Sequence, residues 1–114
     1  MSKSRPIQTN GRSESWNAII NQLAVYYARN QEFSIPSLEY DLEFRFPQPT
    51  IRNAVLVLEK TGAVTKTGWD GRRRLIRVNF ITTESITEVR TRCIYGRKFT
   101  PLDVLETRKK LGGD

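Results

Sequence analysis

Gln48, Thr50, Arg52 and Asn53 lie close together in the chain, and Lys66, Trp69, Arg72, Arg73, Arg74 and Arg77 follow soon after. None of these side chains is suited to bond breaking. What they offer is hydrogen bonding in fixed forks, and positive charge. An arginine can pair with both acceptors of guanine and an asparagine with adenine, each such pair worth ~1–3 kcal/mol of discrimination. Three consecutive arginines supply cations for neutralising phosphates. Trp69 can lie along a groove wall, stack on a partner, or fold back over its own backbone. The plainer readings are a solvated helix start capped by Thr50, and a charged turn that guards a strand edge.

Other chemistry is excluded by what the sequence lacks. With no histidine and a single cysteine, Cys93, the chain cannot build the usual zinc sites or Cys–His and Ser–His–Asp catalysis. Glu39 and Glu43, four residues apart, invite a reading as paired catalytic carboxylates, but they have no base and no glycine-rich phosphate loop beside them. A solvated acidic helix is the better account. The expectation is therefore a non-enzyme with no cofactor, no metal and no small-molecule ligand. The lone cysteine rules out an internal disulfide and fits a reducing compartment. The first residues carry no apolar signal core, and no run approaches the ~20 apolar residues of a membrane helix. A cytoplasmic protein with no membrane partner is expected.

Net charge is +7 over 114 residues, and its distribution says more than its size. Residues 1–12 carry +3, residues 13–47 carry −3, residues 48–81 carry +5 and residues 82–114 carry +2. Positive charge thus gathers where the fork-forming side chains lie, with a second deposit near the N-terminus. A surface of this kind suits an anionic polymer.

The elements that must hold these residues follow from periodicity. Residues 1–12 show none and read as a disordered basic arm. Trp16, Ile19, Ile20, Leu23, Ala24, Tyr26 and Tyr27 recur at helical spacing and predict a helix over 14–29 with Ser13 as its cap, its aromatic residues facing the core. A short β-like piece at 33–35 precedes a second helix, 36–44, with Leu38 and Leu42 inward and Tyr40 or Phe44 on its flank. Two prolines make 45–49 a turn. A third helix, 49–61, buries Ile51, Val55 and Leu58, with Ala54 or Leu56 flanking, and stops at Gly62. Strands are expected at 64–67 and 75–81, with Ile76, Val78 and Phe80 inward. A plain two-residue Asp70–Gly71 turn would set Val64 opposite Arg77, on the wrong face. An odd-numbered loop or a bulge at Gly68 sets it opposite Ile76 instead and leaves an irregular, mobile tip. Ile86, Val89 and Cys93 predict a helix over 83–94, and Thr100, Pro101 and Asp103 open a last helix running to Leu111.

The order helix, short strand, helix, turn, helix, hairpin resembles the winged helix-turn-helix family over residues 14–81. The run from Thr50 to Val64 looks like that family's recognition helix and its exit into the wing. Asp70-Gly71-Arg72-Arg73-Arg74-Leu75-Ile76-Arg77-Val78 is similar to the basic wing and returning strand of multiple-antibiotic-resistance-type regulators. One departure stands out: the turn between Leu42 and Thr50 is longer than the family's, holds two prolines and lacks its glycine. The resemblance implies an α+β winged helix-turn-helix domain at 13–81, a three-helix core plus wing, followed by a C-terminal helical extension at 82–114.

It also implies a sequence-specific double-stranded DNA-binding protein, a small prokaryotic or phage transcriptional regulator. Its helix 49–61 reads the major groove and its wing 66–77 grips the backbone. The expected DNA-binding residues are Gln48, Thr50, Arg52, Asn53, Lys66, Trp69, Arg72, Arg73, Arg74 and Arg77. Leu102, Leu105 and Leu111 form one apolar stripe that suits a homodimer, unless it packs back on Trp16 and Ile20. A replication-origin or other nucleoprotein structural role uses the same surface. A protein-interaction winged helix is a further alternative.

Overall fold

Ser13 accepts a hydrogen bond from the Trp16 backbone N–H at 3.1 Å, the expected cap of helix α1, Glu14–Ala28. In this computed structural model, residues 13–110 are described; the expected basic arm at 1–12 and the end of the last helix at Leu111 lie outside them. The apolar stripe of α1 (Trp16, Ile19, Ile20, Leu23 and Tyr26) forms the centre of the core. Tyr27 does not join it: it is 44% exposed, because one step along the helix turns it about 100° away from Tyr26. Burial pushes the Tyr26 phenol above its usual range, and its hydrogen bond to Asp41 adds to the shift.

Phe33 alone of the 33–35 segment pairs as a strand, exchanging two backbone hydrogen bonds with Ile76 at 2.9 and 2.7 Å. Its ring stacks on Tyr26 with centroids 5.0 Å apart. Helix α2, Ile35–Asp41, begins with a reciprocal Ser34–Ser37 capping box. Leu38 and Leu42 are buried as expected, but the helix ends short of Phe44. Glu43 and Phe44 take left-handed φ values of 58° and 55°, which no helix can continue through. Tyr40 and Phe44 therefore point outward as an exposed edge-to-face pair, rather than flanking the core. Glu43 lies in the turn, so it shares no helix face with Glu39.

Helix α3, Gln48–Thr61, starts one turn position earlier than the sequence suggests, with Pro47 in the cap position and Pro49 in the first turn. Thr50 is consequently inside the helix, its N–H bonded to Pro47 O at 3.1 Å, and is not a cap. Ile51, Ala54, Val55 and Leu58 are buried, while Leu56 faces out. Gly62 closes the helix at φ 93°, a conformation costly for any residue with a Cβ.

Strands β1, Val64–Asp70, and β2, Arg73–Val78, form an antiparallel hairpin. Val64 pairs with Val78, two residues beyond the expected partner but on the same face, so the parity argument stands and the register does not. The shift is taken up by a bulge between Lys66 and Gly68. The tip is regular, not irregular: pairing continues through Trp69–Arg74 to Asp70–Arg73, around a two-residue turn with Gly71 at φ 62°. β2 stops at Val78 rather than at Ile81, because Asn79 and Phe80 turn their N–H groups to Ala63 O.

Helix α4, Ile86–Ile94, starts at the Ser85–Glu88 capping box, later than expected. It packs on α3, putting Val89 in the common core and Cys93 Sγ 3.6 Å from Val57 O. Helix α5, Pro101–Lys110, is capped by Thr100 and Asp103 as expected but contributes no buried residue. The described chain is thus an α+β fold of five helices and one two-stranded hairpin. No helix among its described residues is long and apolar enough to cross a membrane.

Candidate nucleic-acid interface

Helix α3 and the hairpin carry all ten of the expected DNA-binding residues, and the fold fixes what each presents. The buried stripe of Ile51, Ala54, Val55, Leu58 and Thr61 turns the opposite face of α3 to solvent. On that face lie Pro49, Arg52, Asn53, Leu56 and Lys60, all exposed. Gln48 and Thr50 are half-buried.

The first turn of α3 is cross-linked. Gln48 Nε2 donates to Glu39 Oε1 of α2 at 3.4 Å, and its Oε1 accepts from Arg52 Nε and Nη2 at 3.4 and 3.3 Å. These long bonds orient the Arg52 side chain along the helix and leave Asn53 beside it on the outer face. Gln48 thus acts on its neighbours rather than projecting alone.

The hairpin separates its cations by strand alternation. Arg73 and Arg77 fall on one face of β2, Arg74 on the other with Ile76 and Val78, and Arg72 in the turn. The three consecutive arginines therefore do not form a single row. Arg74 is half-buried, its guanidinium 4.8 Å from the centre of the Trp69 ring, and its Nε has no hydrogen-bond partner. Trp69 covers Arg74 yet stays 62% exposed, so it neither buries itself on the hairpin nor stands alone. Lys66 reaches back to Glu59 on α3 at 3.6 Å, tying the base of the hairpin to the helix. Arg72, Arg73 and Arg77 are exposed and make no ion pair among the described residues.

Two residues of this surface escape the sequence reading. Lys60 belongs to the outer face of α3 at the helix end, and Leu56 sits midway along it, 44% exposed. Helical phase would have found both, since each lies opposite the Ile51–Val55–Leu58 stripe.

A second cluster lies away from this surface. Arg92 of α4 bonds Glu84 at 2.6 and 2.7 Å and Asp103 at 3.4 Å, with its guanidinium 4.2 Å from the centre of the Phe99 ring. The Glu84 hydrogen bond raises the Arg92 pKa, while the Thr100 N–H, with the Thr100 hydroxyl and Arg92 adding, holds the Asp103 carboxyl below its usual range. Phe99 in turn meets Phe80 edge to face at 5.2 Å. The cluster fastens the start of α5 to the body and leaves Leu102 at 64% and Leu105 at 47% exposure. Those leucines do not pack back on Trp16 and Ile20.

Comparison with protein-family models, with curated proteins and with solved structures returned no match in any of the three.

Proposed function

We propose that this chain is a winged helix-turn-helix protein that binds double-stranded DNA sequence-specifically, as a small transcriptional regulator of prokaryotic or phage type acting inside the cell. In this reading α3 is the recognition helix and the hairpin is the wing. The observation that carries it is the exposed face of α3, where Arg52 and Asn53 offer guanine- and adenine-matching forks beside a hairpin with three unpaired arginines. Base-edge donors and phosphate-seeking cations on adjoining elements are what reading and gripping a duplex require. A structural role at a replication origin would use the same surface, and mapping the bound sites across a genome distinguishes the two.

Selection of duplexes from a random pool is the direct test, and a pool that never enriches refutes the proposal. On the best selected duplex, Asn53→Ala should relax the preference at one or two base positions and cost roughly 1–3 kcal/mol there. A uniform loss over all duplexes would instead make Asn53 a backbone contact.

The protein is proposed to act as a homodimer. The support is α5, held at its start by Arg92 and Asp103 while Leu102 and Leu105 stay exposed, as do Ile94 and Tyr95 at the end of α4. Burying each large aliphatic side chain is worth roughly 1.5–3 kcal/mol, enough for a self-complementary stripe to associate. Sedimentation at micromolar concentration should give roughly twice the monomer mass. A single 13.2 kDa species would rule the dimer out.

A further inference from the structure

Leu56 is an aliphatic side chain on the outward face of α3. It stands on the side of α3 directed away from Ile51, Val55 and Leu58, and it is 44% exposed. Arg52 precedes it by one turn, Asn53 by three residues, and Lys60 follows by one turn, so polar groups able to meet nucleic acid surround it along the same face. Its exposed part is open to a partner outside the fold. A duplex would supply the missing partner, because the major groove carries one exposed apolar group, the 5-methyl of thymine.

From this placement, and resting on the DNA-binding reading above, we infer that Leu56 is a specificity-determining residue that recognises a thymine methyl. The inference also fixes how the helix lies. Leu56 is in the third turn of α3, so the helix must run along the groove rather than enter it by its tip alone. The axial rise from Arg52 to Leu56 is about 6 Å, roughly two base steps. The recognised thymine therefore sits about two base pairs from the base that Arg52 contacts, and Lys60 continues the line toward a phosphate.

The test uses the full-length protein and the duplex it selects from a random pool. Each thymine is replaced in turn by deoxyuridine, which removes the methyl and keeps every base-edge hydrogen bond. At one thymine, binding should fall about four-fold, the worth of one buried methyl group. Leu56→Ala should bind the thymine and deoxyuridine duplexes equally at that position, whereas Asn53→Ala should keep the difference. Indifference of the unaltered protein to deoxyuridine at every position overturns the inference, as does a Leu56→Ala variant that stays methyl-sensitive or a selected consensus without thymine. Tight, selective binding without methyl sensitivity removes the role of Leu56 alone. Failure to select any duplex removes the DNA-binding reading and the inference together.

Discussion

Replacing Arg72, Arg73 and Arg74 together with alanine is expected to weaken binding to all duplexes by a similar factor and to flatten its salt dependence. Each phosphate neutralised contributes about −0.9 to the slope of log K against log salt. Arg72, Arg73 and Arg77 are the exposed hairpin arginines without an ion pair, and Lys66 and Arg52 are already engaged with Glu59 and Gln48. The unaltered protein should therefore show a slope of about −3 per subunit, reaching about −5 where Lys66 and Arg52 also turn to phosphates. A slope of −4 amounts to a loss on the order of a hundredfold between 50 and 200 mM salt. In the triple variant the slope should fall by about two rather than three units, because Arg74 lies under Trp69. Titrations of one duplex at several salt concentrations provide the measurement. A slope near zero in the unaltered protein would sink duplex binding altogether, and a fall of three would place Arg74 on the backbone too.

The largest effect on stability is expected at Trp16. Its side chain is 1% exposed at the centre of the core, and its indole N–H donates to Glu84 O at 2.9 Å, joining α1 to the segment that leads into α4. Trp16→Ala leaves a large cavity and an unpaired carbonyl, a change that costs about 3–5 kcal/mol. Against a total stability of about 5–15 kcal/mol, that is a large fraction of the whole. Urea denaturation gives the number. The control is Trp69→Ala, which removes an exposed ring stacked on Arg74 and should cost about 0.5–1 kcal/mol. Similar losses at the two tryptophans would mean that the core is not organised around α1.

Most of the core was legible in the sequence, since a buried helix stripe is written at regular spacing. Trp16, Ile19, Ile20 and Leu23, then Leu38 and Leu42, then Ile51, Val55 and Leu58 are all buried where periodicity puts them. Ser13, Gly62 and Thr100 mark boundaries because each has one strongly preferred task at a helix end. What escaped prediction depends on contacts across the fold. The early end of α2 comes from left-handed Glu43 and Phe44, residue types that give no local sign of that conformation. The hairpin's parity could be deduced from burial, but its register could not, because Ile76 and Val78 are both apolar and either satisfies Val64. Within the candidate site, residue types were readable and their liaisons were not. Gln48 is bound to Glu39 and Lys66 to Glu59, partners nine and seven residues away.

The bulge at Thr67 separates two halves of the hairpin that answer to different constraints. Below it, Val64, Ile76 and Val78 are fixed by the core, and one step of slippage would expose all of them. Above it, only Trp69 on Arg74 holds one side chain to another across the strands. Loss of Thr67 would close the bulge into a regular ladder, with Trp69 still opposite Arg74 and the apolar pairs beneath in their places. What such a loss would change is the bend and twist that the bulge puts into β1, and with them the angle at which the tip leaves the core. A lineage carrying this scaffold can therefore alter the direction of its hairpin tip by a change of one residue.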